Sequence, residues 1–145
     1  MHFIGYSIIG ALALAAATSP VQAQSLEMKK FQAAQQADLD KALSLTNQRC
    51  GTKIVAGYDW KTFDDPDLLK KGATPYCVAA LDAIEDLCSD AIGKEAIQSK
   101  VKSLTCAGAA APTADVSDDG KVTFSFALAP NQNKLLVRGI LEKKL

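Results

Sequence analysis

Cysteines at positions 77 and 88 bracket the stretch TPYCVAALDAIEDLC, residues 74–88, and this bracket limits the fold more than any other feature of the chain. The stretch reads as a helix. Thr74 offers an N-cap oxygen, and Pro75 suits the first helical position, where a missing N–H costs nothing. Cys77, Leu81, Ile84 and Cys88 recur at helical spacing and share one face. Asp82, Glu85 and Asp86 lie off that face and are expected to meet water. The two cysteines of one straight helix have backbones about 16 Å apart, whereas a disulfide needs Cα atoms within about 7 Å. A Cys77–Cys88 bond is therefore excluded, and with it Cys50–Cys106, because the chain has four cysteines in all. Two pairings remain open: Cys50–Cys88 with Cys77–Cys106, or Cys50–Cys77 with Cys88–Cys106. A third helix folding back beside the central one favours the first. Either way each link contributes roughly 2–4 kcal/mol by loop-closure reasoning.

Disulfides require an oxidising compartment, and the N-terminus supplies a route to one. Phe3 to Ala17 is an uncharged apolar run, and Val21-Gln22-Ala23 has the small-residue pattern of a signal-peptidase site. Residues 1–23 are thus expected to be a signal peptide. The run is short for a membrane span and ends in Ser19-Pro20, so the alternative of a retained anchor is disfavoured. Residues 24–145 then form a single exported domain, periplasmic or secreted, with no membrane contact after cleavage.

Within that domain Gln24 to about Asn47 reads as a long helix with an uneven stripe of Met28, Phe31, Leu39, Ala42, Leu43 and Thr46, interrupted by Gln35. Thr52–Trp60 is a strand candidate, with Ile54, Ala56, Tyr58 and Trp60 on one face and Val55 on the other. Lys61–Ala73 is a loop around Asp64-Asp65-Pro66-Asp67, with room for one turn of helix at Leu68-Leu69. After the central helix, Ser89 or Asp90 caps a third, with Ile97, Val101 and Leu104 on one face and Gly93 weakening its start. Lys102–Ala107 is compatible with a strand holding Cys106. Thr113–Ser117 and Lys121–Leu128 form a hairpin about Asp118-Asp119-Gly120, with Val122, Phe124, Phe126 and Leu128 inward. Pro130-Asn131 breaks the strand. A last helix, capped by Asn131 or Asn133, turns Leu136, Val137, Ile140, Leu141 and Leu145 inward. The order predicts an α+β fold: a small antiparallel sheet of three to four strands packed against three to four helices, stapled by two disulfides.

Chemistry is constrained by what the domain lacks. The single histidine, His2, lies in the signal segment, so Ser-His-Asp and Cys-His nucleophile systems and common zinc hydrolase sites cannot be built from residues 24–145. A single zinc cannot take both Cys77 and Cys88, and no Cys-x-x-Cys redox motif is present. No cofactor or metal is expected. Carboxylates are plentiful, including Asp59, Asp64, Asp65, Asp67, Asp82 and Glu85, but no spacing marks a catalytic pair. Asp115, Ser117, Asp119 and Gly120 match the first half of a calcium loop, yet Phe126 stands where the bidentate acid belongs, and a plain Asp-Gly turn is the better reading. Zero net charge gives no reason to expect nucleic acid.

Tyr58, Trp60, Phe63 and Tyr76 remain. They gather the polar-tipped aromatics about one loop, as an interaction patch would, although packing of Tyr58 and Trp60 between sheet and helix explains the same pattern. The expected function is a non-catalytic binding or structural module with a protein or small-molecule partner. A small carboxylate-dependent hydrolase is the alternative. An enzyme requires a concave site with two convergent acids; a binding module requires an exposed aromatic surface without them.

Overall fold

The computed structural model describes residues 20–63, 72–126 and 133–145, with side chains of the first stretch described from Leu26 onward. Helix α1 (Pro20–Cys50) is followed by β1 (Val55–Asp59), a short 3-10 turn (Trp60–Thr62), α2 (Thr74–Leu87), α3 (Ala91–Lys100), β2 (Ser103–Gly108), β3 (Thr113–Val116), β4 (Lys121–Phe126) and α4 (Asn133–Lys144). The expected turn at Leu68-Leu69, the Asp64–Asp67 turn, Leu128 and the Pro130-Asn131 break lie outside the described residues.

The fold class is α+β: the described residues form four helices and four strands, joined by two disulfides. The direction of the strands departs from expectation. The sheet order is β1-β2-β4-β3, and only β3 and β4 are antiparallel. β1 pairs with β2 in parallel, Tyr58 opposite Cys106, and β2 pairs with β4 in parallel, Cys106 opposite Phe124. The reason is the connection between β1 and β2. It passes through α2 and α3, long enough for the crossover that parallel neighbours need. The four residues Ala109–Pro112 then carry the chain past the end of β4, a step of two strand spacings or about 10 Å, so β3 becomes the edge and β4 returns between them.

On the core face of β2 and β4, Leu104, Cys106, Val122, Phe124 and Phe126 are at most 1 % exposed, and Ala107 of β2 is buried as well, at 7 %. Their alternate neighbours Ser103, Thr105, Thr123 and Ser125 are only half-buried. Against the apolar face pack Leu39 of α1, Ile97 of α3, Val137 and Leu141 of α4, and a broad face of α2 comprising Cys77, Ala80, Leu81, Ala83 and Ile84. The alanines widen the expected stripe and let neighbouring elements approach.

Helix ends show how locally each element is encoded. Asp90 caps α3, its Oδ1 accepting the Gly93 N–H at 2.8 Å. Gly93 is more than a weak helix former here: a Cβ at that position would lie 2.1 Å from the Leu87 carbonyl oxygen, so the absent side chain permits the tight step from α2 to α3. Val101 ends α3 in extended conformation, and Leu104 belongs to β2. Thr74 does not cap α2; Ala73 holds the cap position without a side-chain bond of its own. The missing acceptor comes from α1. Gln35 Oε1 receives the N–H groups of Ala73 at 2.7 Å and Thr74 at 3.0 Å and the Thr74 hydroxyl at 2.9 Å.

Cys50 pairs with Cys88, and Cys77 with Cys106. The first bond joins the last residue of α1 to the C-cap of α2, and the second joins the first turn of α2 to the middle of the sheet. The central helix is thus tied at both ends. The disulfides indicate an oxidising environment. Among the described residues no helix is long and apolar enough to cross a membrane.

Candidate functional site

The aromatic side chains of the described residues assemble into one continuous cluster that runs from the core to the surface. Phe124 and Phe126 stack at the inner end, with ring centroids 5.6 Å apart. Phe126 meets Tyr76 of α2 in a near-parallel stack at 5.0 Å and Phe63 edge-on at 5.7 Å. Phe63 touches Trp60 at 5.1 Å and Tyr58 at 6.2 Å, and Trp60 lies on Tyr58 at 4.5 Å. Phe31 of α1 closes the outer end, edge-on to Trp60 at 6.2 Å. Such pairs contribute about 0.5–1.5 kcal/mol each beyond area burial.

All four aromatics singled out in the sequence, Tyr58, Trp60, Phe63 and Tyr76, belong to this cluster. Phe63 is buried and part of the core; Tyr58, Trp60 and Tyr76 keep a partly exposed surface. Phe31 is the member that patch reasoning missed. Its only signal was its place on the uneven stripe of α1, two turns before Leu39. Leu26 and Met28, earlier on α1, are also exposed apolar residues, at 54 % and 37 %.

Trp60 is held in place by its backbone. Asp59 Oδ1 accepts the Lys61 N–H, and the Thr62 hydroxyl donates to the Asp59 carbonyl oxygen at 2.7 Å. Thr62 Oγ1 in turn accepts the Gly108 N–H at 2.8 Å, which locks the 3-10 turn to the end of β2. The Tyr58 hydroxyl donates to Thr74 Oγ1 at 3.2 Å. Burial raises the Tyr58 phenol above its ordinary value; the nearby Asp38 and Asp40 carboxylates push the same way, and the Thr74 hydrogen bond opposes them.

Among the described residues, the acids considered for hydrolysis are dispersed or engaged elsewhere. Asp59 caps the 3-10 turn, and Asp82 is exposed on α2. Glu85 corrects an expectation: its side chain is only 14 % exposed. One oxygen accepts the buried Thr46 hydroxyl at 2.7 Å and the other accepts Arg49, so it fastens α1 to α2 instead of facing water. Asp64, Asp65 and Asp67 lie outside the described residues. An open cleft of about 720 Å³ between α2, α3 and α4 is lined by Asp86, Asp90, Arg138 and Glu142 beside Leu87 and Ile92. Its acids are also committed: Asp86 to Lys134 at 2.8 Å, Asp90 to the cap of α3, and Glu142 to Arg138 at 2.7 Å.

The segment resembling half a calcium loop forms the β3–β4 turn. The Ser117 hydroxyl donates to Asp119 Oδ1 at 2.5 Å, and Gly120 adopts φ +87°. That hydroxyl holds the exposed Asp119 carboxyl below its ordinary value. Asp115 sits on β3, paired with Thr123.

No protein-family model, curated protein or solved structure gives a significant match to this chain.

Proposed function

We propose that the chain is an exported, non-catalytic binding or structural module that meets its partner through the aromatic surface centred on Trp60. The observation that carries this reading is the gradient of the cluster. Phe63, Phe124 and Phe126 anchor it in the core, while Trp60, Tyr58 and Phe31 remain partly open at its outer end. A contact surface backed by packed rings loses little side-chain entropy on binding, which is why Trp and Tyr dominate interface hot spots. Export through a cleaved signal peptide, residues 1–23, agrees with the two disulfides, and places the module in the periplasm or outside the cell. The partner is a protein or a small molecule. The carboxylate-hydrolase alternative requires two convergent acids, and the described candidates each serve a cap, an ion pair or solvent.

Affinity capture from the extracytoplasmic fraction, with the wild type and Trp60→Ala side by side, tests this. The expected outcome is a partner retained by wild type and lost with Trp60→Ala while Val55→Ala, on an exposed strand position, retains it. A partner held equally by Trp60→Ala overturns the reading.

A further inference from the structure

We propose that the two disulfides are a two-tier redox device, in which Cys50–Cys88 is a reversible clamp on the end of α1 and Cys77–Cys106 is a permanent core bond. Cys77 and Cys106 are both 0 % exposed. Cys106 lies in an inner strand, flanked by Tyr58 on one side and Phe124 on the other, so no thiol reaches this pair until α2 leaves the sheet. Cys50 is also 0 % exposed. Cys88 differs: it is the C-cap of α2, next to the exposed Ser89 and Asp90, and is only partly buried. Of the four half-cystines it alone keeps any exposed surface.

Exchange then has one entry. A thiolate of an external dithiol attacks Cys88 Sγ, forming a mixed disulfide. The Cys50–Cys88 bond breaks, and its electron pair leaves on the Cys50 sulfur, which takes a proton. The second thiolate of the reductant attacks its own sulfur of the mixed disulfide, so the dithiol departs oxidised and Cys88 is left as a thiol. A small disulfide oxidant reverses the sequence. Opening this bond does not free the helix altogether. Thr46 and Arg49 still bind Glu85, and Gln98 Nε2 still donates to the Cys50 carbonyl oxygen at 2.7 Å. Thr46 is buried against Glu85 and holds α1 in place up to that residue, whereas the Arg49 contact is exposed and the Gln98 contact only partly buried, so the turn of α1 after Thr46 loosens while α2 stays bonded to the sheet.

The test treats the oxidised protein with dithiothreitol in native buffer and in guanidinium chloride, quenches samples with iodoacetamide over time, and maps alkylation by peptide mass. In native buffer Cys50 and Cys88 should be alkylated together, more than about tenfold faster than Cys77 and Cys106, because the core pair reacts only through an opening of the fold. Amide exchange should rise in residues 47–50 of the partly reduced species and stay slow in 103–108. In guanidinium the two pairs should react at similar rates. Simultaneous release of all four cysteines in native buffer, no reaction of either pair, earlier release of Cys77 and Cys106, or an undiminished preference in guanidinium each overturns the proposal.

Discussion

Gln35 of α1 caps a helix that begins at Thr74: its Oε1 accepts the backbone N–H groups of Ala73 and Thr74 and the Thr74 hydroxyl. The residue that breaks the apolar stripe of α1 is therefore what α2 uses in place of a local cap. Gln35→Ala should cost about 1–2 kcal/mol, as loss of a good N-cap does. Gln35→Glu keeps the acceptors and sets a negative charge at a helix N-terminus, so it should stay near wild type. Denaturant unfolding of both variants checks this; no loss in Gln35→Ala would mean that the cap carries no stability, and equal losses in both would mean that the acceptor is not its source.

Thr46 and Glu85 make the second polar fastening between these helices. Thr46 is fully buried, and its hydroxyl donates to the withdrawn Glu85 carboxylate. Thr46→Val should destabilise by about 1–3 kcal/mol, the cost of a buried acceptor left without its donor. Ser44→Val, exposed on the same helix, should change stability by no more than about 0.5 kcal/mol. Thermal unfolding of the pair measures the difference.

Gly93 allows the close passage of α3 beneath the end of α2. Gly93→Ala raises helix propensity, so propensity alone predicts a gain of up to about 1 kcal/mol. The structure predicts a loss of about 1–3 kcal/mol, because the added methyl meets the Leu87 carbonyl oxygen and the turn must shift. The sign of the change in urea midpoint decides between the two.

Tyr58 should give a pH dependence on the alkaline side. Burial raises its pKa in the folded state above the ordinary value near 10. Above about pH 10 the unfolded chain has lost the proton while the folded protein still holds it. Stability from this group is thus complete below about pH 10 and declines as pH rises through the folded value. Phenolate absorbance should show a transition above the usual range that is missing in Tyr58→Phe. A Tyr58 transition at or below the ordinary value would contradict the burial described here.

The parts of the fold that were legible are those encoded within a few residues. Asp118-Asp119-Gly120 and the alternation of Val122, Phe124 and Phe126 specify the β3–β4 hairpin without outside help. The Cys77–Cys88 spacing narrowed the disulfides to two pairings through helix geometry alone, and the folding back of α3 favoured the one found. Strand direction was not legible, because whether β1 lies parallel to β2 depends on how α2 and α3 pack between them. The roles of Gln35 and Glu85 were not legible for a related reason. A polar residue on a helix reads as solvated, and only a partner more than thirty residues away shows otherwise. The aromatic cluster was legible at positions 58, 60, 63 and 76, which lie close in sequence, whereas Phe31 joins it only through the packing of α1 beside the 3-10 turn.

The claim that Trp60 marks a contact surface is tested most directly by a photo-crosslinking amino acid placed in turn at positions 60 and 55 of the chain produced in its own host. Val55 is exposed and Trp60 partly so, but Val55 is not a member of the aromatic cluster. A discrete crosslinked adduct is expected from position 60 and none of comparable yield from position 55. An adduct from position 55 with none from position 60 would contradict it.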